Sequence, residues 1–274
     1  MGADDFDLAA YTRTAHGSHR AAIAGLGPPD ALAGLGPSEL ALVALLRDLE
    51  GGTMAYLRRV LVTPTHKDAR VTAFLVTWAF EKFWIADALG VVLEANGTHA
   101  ADASELRPRG HRRARRGPVP RALGALFAGP PLVAAHLVSL AASDAVTRAA
   151  YASLAATTPS TSTAALYRRL AAVDERQGRF LRSEAAARLD PRAPGADHAV
   201  RLARRELRAE LYPLGMADRP PADRVRFTRA VFGRGASAVD AALADVAALP
   251  GIDRPTLARM RERLLVGGPT VHPA

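Results

Sequence analysis

The residues of this chain whose types and spacing could do chemistry lie in four long stretches that read as helices. Successive side chains on a helix turn by about 100°, so each stretch has an apolar stripe, and polar residues on that stripe are carried into the interior. In residues 65–95 the stripe runs through Phe74, Trp78, Ile85 and Val92, with Glu81 near its centre and Lys82 at its margin. In residues 163–189 it runs through Leu166, Leu170, Val173, Gln177 and Phe180, with Asp174 at the margin and Glu175 on the opposite side. The stretch 131–156 places Asp144 and Arg148 mid-stripe, one turn apart, with Tyr151 beyond them. The first long helix, opened by Ser38-Glu39, brings Glu50 to the stripe margin and Thr53 near its centre.

These positions predict an interior holding four acids, Glu50, Glu81, Asp144 and Asp174, with Lys82 and Arg148 as the balancing cations. Paired buried charges are tolerable where a lone one costs several kcal/mol. Lys82 is the more telling cation, because the chain uses arginine almost everywhere and has lysine only at Lys67 and Lys82. A desolvated lysine can lose its proton and act as a base or an amine nucleophile, which arginine cannot. The expected catalytic set is therefore Lys82, Glu81, Asp144 and Asp174. Glu50, Thr53, Trp78, Arg148, Tyr151 and Gln177 are expected to shape a substrate pocket. Two plainer readings stand beside it: Lys82 and Arg148 snorkel to solvent, and Asp144–Arg148 is an ordinary pair one turn apart. No metal or other cofactor is expected. Four oxygen ligands without an imidazole would suit magnesium or manganese better than redox iron.

Other residues carry less. Thr63-Pro-Thr-His66-Lys67-Asp68 reads as a turn and helix cap, with His66 on the surface. His16 and His19 sit close together in a loose segment where a metal would bind adventitiously, and His136 reads as a helical surface or packing residue. No dinucleotide-binding glycine pattern, phosphate-binding loop, zinc-protease helix or serine-hydrolase elbow is present.

Composition narrows the field. The 274 residues are 49% hydrophobic and only 5% aromatic, which with abundant alanine favours closely packed helices. No cysteine occurs, so disulfide frameworks, zinc–thiolate sites, iron–sulfur clusters and cysteine nucleophiles are excluded. The net charge of +9 comes from arginine in an alanine-rich chain and matches no nucleic-acid module, so nucleic acid is not an expected partner. Acids at Asp4 and Asp5 replace the basic start of a signal peptide, and no apolar run is long enough to span a membrane. A cytoplasmic protein acting on a small-molecule substrate is expected, with a homodimer as an option.

The organisation expected is a Gly-, Ala- and Pro-rich lead-in over residues 1–37, a helical body over 38–190 and a smaller helical tail over 191–274. Pro64 ends helix one, Asn96-Gly97 ends helix two, and Thr157-Thr-Pro-Ser-Thr-Ser separates helices three and four. Between helices two and three lies a basic, Pro- and Gly-punctuated stretch, Arg107 to Arg121, read as a solvated connection. Glu50 to Lys82 spans 32 residues and Asp144 to Asp174 spans 30, which suits two repeated helical hairpins. The tail is expected as helices near 197–212, 221–232, 236–248 and 254–265, packed on the body.

From Leu46-Arg-Asp-Leu-Glu50 through Phe180 the chain resembles bacterial ferritin-like proteins of the carboxylate-dimetal superfamily. The tail, with Tyr212-Pro-Leu-Gly215 and Leu249-Pro-Gly251, is similar to the extension of actinobacterial ferritin-like proteins of unassigned function. The resemblance implies an all-α, four-helix bundle with a long crossover between helices two and three and a buried polar centre. In intact members two helices each supply Glu-x-x-His to a pair of metals. Here Asp174-x-x-Gln177 stands in one such place. Either Lys82-x-x-Ile85 or Glu81-x-x-Trp84 stands in the other, so neither helix has the histidine. Three functions follow in order: a metal-independent enzyme of proton-transfer or condensation type in specialised metabolism, a non-enzymatic small-molecule-binding or scaffold protein, and a di-metal oxygenase or oxidase with atypical ligands.

Overall fold

Capping residues set the bounds of the long helices. The computed structural model describes residues 6–98, 129–209 and 213–266. Helix α3, Pro37–Gly51, starts with proline in its first turn, where the missing N–H costs nothing. It was expected to continue to Pro64 but stops at the Gly51-Gly52 pair, and a separate α4, Thr53–Val60, follows. Glycine in a helix interior costs about 1 kcal/mol relative to alanine, and two in succession make the break. Next comes a 3₁₀ turn, Pro64–Lys67, and then α5, Ala69–Ala95. The Asp68 carboxylate accepts the Val71 N–H at 3.0 Å and so caps α5, four residues later than Thr65 suggests. At the far end the Asn96 amide donates to the carbonyls of Leu32 and Val92, both at 2.8 Å, and Gly97 takes a left-handed φ of 71°.

Helix α6 covers Pro131–Thr157 and α7 covers Thr161–Leu189, with Ser160 accepting the Thr163 N–H at 3.1 Å. That cap shortens the expected turn to three residues, 158–160. The tail forms α8, Ala196–Ala209, α9, Pro221–Phe232, α10, Ala236–Ala247, and α11, Arg254–Val266. Ahead of the body lie α1, Leu8–Arg13, and α2, Arg20–Ala24.

The fold is all-α, with no strand among the described residues. Helix α3 packs on α5 and α6 on α7, and α5 also meets α7. The tail does not stand apart: α8, α9 and α10 all lie against α6, and α11 closes on α8. One continuous apolar core runs from Tyr11 to Leu264. The lead-in is tied into it, contrary to the loose segment expected, because Tyr11, Ile23, Leu32 and Leu35 are buried there. Phe74 stacks on Phe180 at 3.9 Å and on Tyr11 at 5.3 Å, so an aromatic column joins α1, α5 and α7. The basic stretch 107–121 and most of the connection between α5 and α6 lie outside the described residues. Among those described, no helix is long and apolar enough to cross a membrane.

Candidate functional site

Four helices deliver polar side chains to the middle of the core, where they form two adjacent clusters. The first is centred on Lys82. Its ammonium donates to Asp174 Oδ1 at 2.8 Å and to Glu50 Oε1 at 3.2 Å, and the Tyr151 hydroxyl donates to Glu50 Oε1 at 2.8 Å. These residues come from α5, α7, α3 and α6 in turn. Lys82 does not snorkel to solvent: it is 4% exposed and Asp174 is fully enclosed. Burial works against the ammonium, but Asp174, Glu50 and Asp144 more than offset that and hold the lysine well above its ordinary pKa. A lysine held this way stays charged through the neutral range, so this geometry does not prepare it as a base or nucleophile.

Asp144 lies beside this cluster. Glu50, Lys82 and Asp144 line one small cavity of about 20 Å³ together with Thr53, Trp78 and Thr147. That is room for roughly one water molecule. Neither carboxylate oxygen of Asp144 has a hydrogen-bond partner among the described residues, and Asp174 Oδ2 has none either. Arg148 reaches Asp144 only at 3.4 Å, being drawn outward to Glu175 and, at 2.6 Å, to Asp245. The expected pair one turn apart is thus one arm of a larger network at the edge of the core.

Three carboxylates therefore face one ammonium, and proton uptake relieves the surplus of negative charge. Burial, opposed by Lys82 and Arg148, pushes Asp144 up to about 6. Burial also raises Asp174 against the pull of Lys82, with Glu50 and Asp144 adding to the rise.

A raised carboxyl pKa has a definite sign for stability. Between about pH 4 and pH 6 the folded state holds a proton on Asp144 that the unfolded chain has released, so stability falls as pH rises through that window. The loss reaches up to about 3 kcal/mol. Asp144→Asn is expected to flatten that part of the pH–stability curve and to be more stable than wild type at pH 7.5, as read by urea unfolding at several pH values. A slope identical to that of wild type would remove Asp144 as the titrating group.

Gly178 explains how α6 and α7 come close enough to enclose Asp144. A side-chain carbon at Gly178 would lie 2.6 Å from Asp144 Oδ2 and 2.8 Å from an Arg182 nitrogen. Gly178→Ala is expected to cost about 1 kcal/mol net, because displacing that buried carboxylate outweighs the roughly 1 kcal/mol that alanine gains over glycine in a helix interior. Stability equal to that of wild type in urea titration would show that the two helices can yield there.

The second cluster is built on Glu81, whose side chain is fully buried. Tyr11 Oη donates to Oε2 at 2.7 Å, Gln177 Nε2 to Oε2 at 2.8 Å and the His16 backbone N–H to Oε1 at 2.8 Å, and the Arg176 guanidinium pairs with Oε1. Glu81 and Lys82 are sequence neighbours that point into different clusters. Glu81 faces Gln177 and Lys82 faces Asp174, so one residue of each helix-two register meets a residue of the Asp174-x-x-Gln177 segment and the contacts do not choose between the registers. Ile85 is fully buried beneath.

The remaining candidates divide. Thr53 and Trp78 line the small cavity, although the Trp78 indole N–H has no partner among the described residues. His136 is bonded to the Thr65 hydroxyl at 2.9 Å, and burial pushes its pKa down to about 4. His66 is exposed, with Nδ1 2.7 Å from the Thr63 carbonyl. His16 and His19 are not a loose pair, since His19 is buried and burial pushes its pKa down to about 4.

Tyr11, the His16 backbone and Arg176 are contacts of the Glu81 cluster that sequence reasoning missed. The lead-in gave no signal beyond two aromatics, Phe6 and Tyr11, among mostly small residues, and Arg176 lay hidden among many arginines.

No family model, curated protein or solved structure matches the chain. The donor set must therefore be judged on its own chemistry. Among the described residues no three His, Cys, Asp or Glu side chains are grouped to hold a metal ion. Glu50 and Asp174 are bonded to Lys82, and Glu81, the other acid at a motif position, is saturated by four donors. These residues do not fit a carboxylate-bridged metal pair.

Proposed function

We propose that this chain is a ferritin-like four-helix-bundle protein in which the Lys82 ammonium supplies the positive charge that a metal pair supplies in intact relatives, and that it acts as a non-enzymatic small-molecule-binding protein. The observation that carries the reading is Lys82 bridging Glu50 and Asp174 in a space with room for about one water. Pockets for organic ligands are usually several hundred Å³. The cluster is then part of the scaffold, and ligand binding belongs elsewhere on the molecule.

Lys82→Glu tests the substitution of ammonium for metal. It removes the cation and adds a fourth carboxylate beside Glu50, Asp144 and Asp174. Without metal the variant is expected to melt well below wild type, and Mn²⁺ is expected to restore it, while the wild-type melting temperature does not respond to Mn²⁺. A wild type stabilised by Mn²⁺ would sink the reading, as would a folded variant indifferent to it.

A metal-independent acid–base enzyme is a second reading, favoured by the Asp144 carboxylate, which lines the cavity and accepts no hydrogen bond among the described residues. Asp144, rather than Lys82, would carry the proton. Asp144→Asn would then abolish turnover of a bound small molecule without weakening its binding, and surviving turnover would remove this reading.

A further inference from the structure

A cavity much larger than the one at the Lys82 cluster is an open groove of about 780 Å³ between α1, α7 and the end of α10. One wall is α7, which presents Arg176, Arg179 and Arg182 along the groove, with Ser183 beside them. Residues three apart share a helix face, so the three guanidinium groups form one basic rail. The opposite side is apolar, through Phe6, Ala10 and Leu249.

The charges along this rail are not equivalent. Arg176 is committed to Glu81 and lies 4.8 Å over the Tyr11 ring. Arg182 is committed to Glu175 at 2.6 Å and Asp245 at 2.9 Å. Of the groove's two acids, Asp245 is shared between Arg148 and Arg182, and Asp7 accepts the Ala10 N–H at 2.8 Å as the cap of α1. Arg179 is exposed and has no acidic partner among the described residues. The groove therefore offers one unspent guanidinium, flanked by two that are already held in place, opposite an apolar wall.

We propose that this groove binds a small organic anion, with its carboxylate, sulfonate or phosphate on Arg179 and its apolar body against Phe6, Ala10 and Leu249. This rests on the binding-protein reading and gives it a site and a ligand class. A guanidinium forms paired, charge-assisted hydrogen bonds with such oxyanions, and the neighbours Arg176 and Arg182, held by their acids, fix the wall around Arg179 without having to be ordered on binding. The volume lies within the range of small-molecule pockets. The groove also touches both buried clusters, through Arg176 on Glu81 and through Arg182, whose guanidinium lies by Gly178 and Asp144.

The probe is 8-anilinonaphthalene-1-sulfonate, an apolar body with one anionic group, with neutral N-phenyl-1-naphthylamine as its uncharged counterpart. The folded wild-type chain is expected to bind the sulfonate at one site and at least about tenfold more tightly than the neutral compound. Arg179→Glu is expected to weaken sulfonate binding by at least about tenfold, with little change for the neutral compound and an unaltered melting temperature, since Arg179 makes no ion pair among the described residues. Ala186→Trp, which fills the groove wall, should weaken both. No sulfonate binding by wild type, equal binding of the two probes, or Arg179→Glu binding like wild type would each overturn the proposal. Lys82→Met separates the two levels. If that variant stays folded and loses the probe while Arg179→Glu keeps it, the ligand sits at the core cluster, and both the groove and the scaffold reading fail. If Lys82→Met keeps the probe and Arg179→Glu also keeps it, the groove alone fails.

Discussion

Lys82→Met is expected to lose about 3–5 kcal/mol of folding stability at pH 7.5, because it leaves Glu50 and Asp174 buried with no cation between them. For a chain of this size that is a fall of about 10 °C in melting temperature. The loss has a pH signature. Without the ammonium, the folded-state pKa of Asp174, already raised by burial, rises further above its unfolded value. Lowering the pH toward 5 protonates that carboxylate in the folded state and restores part of the lost stability. Urea unfolding of wild type and variant at pH 5 and 7.5 checks this, and a deficit that does not shrink at pH 5 would mean that the acids do not depend on Lys82. Combining Lys82→Met with Glu50→Gln and Asp174→Asn should recover much of the deficit, because removing every charge of a buried cluster is far less costly than removing one.

Glu81→Ala is expected to have a comparable thermodynamic cost and a different local result. Its carboxylate gathers donors from α1, from the His16 backbone and from two residues of α7. Charge-assisted bonds of this kind contribute roughly 1.5–3 kcal/mol each, and their losses are not additive. Tyr11 and the His16 N–H would lose the anchor that ties the lead-in to α5. Limited trypsin digestion should then cut early at Arg13 and Arg20, with the body of the protein protected. Wild-type cleavage kinetics would show that the aromatic column of Tyr11, Phe74 and Phe180 holds the segment unaided. Glu81→Gln should fall between, since the amide keeps an acceptor but not the charge.

The long helices and much of the core polar set were legible because both follow from periodicity. Glu50, Lys82, Asp144, Tyr151 and Asp174 lie on or beside apolar stripes, and a stripe that faces the core carries its polar members inward. Helix starts were less legible wherever a cap competed. Asp68 and Ser160 move the starts of α5 and α7, and two glycines divide the first helix, none of which an apolar stripe records. Partners were the least legible. Periodicity places Lys82 inside, yet it does not say that Lys82 meets Asp174 while its neighbour Glu81 meets Gln177. That depends on how α5 and α7 are rotated against each other. Tyr11 escaped for a further reason: it lies on a helix of six residues, too short to show a stripe. The basic rail of α7 was hidden by composition, since in a chain rich in arginine three more carry no signal until the groove beside them is seen.

We infer that an ammonium, not a metal, neutralises the buried acids of this protein. Elemental analysis of purified, untagged protein from cells grown with iron and manganese supplied tests this most directly. The expected result is no stoichiometric metal, with the folded protein retaining its full melting temperature after dialysis against a chelator. One or two metal ions per chain, lost together with stability on chelation, would contradict it.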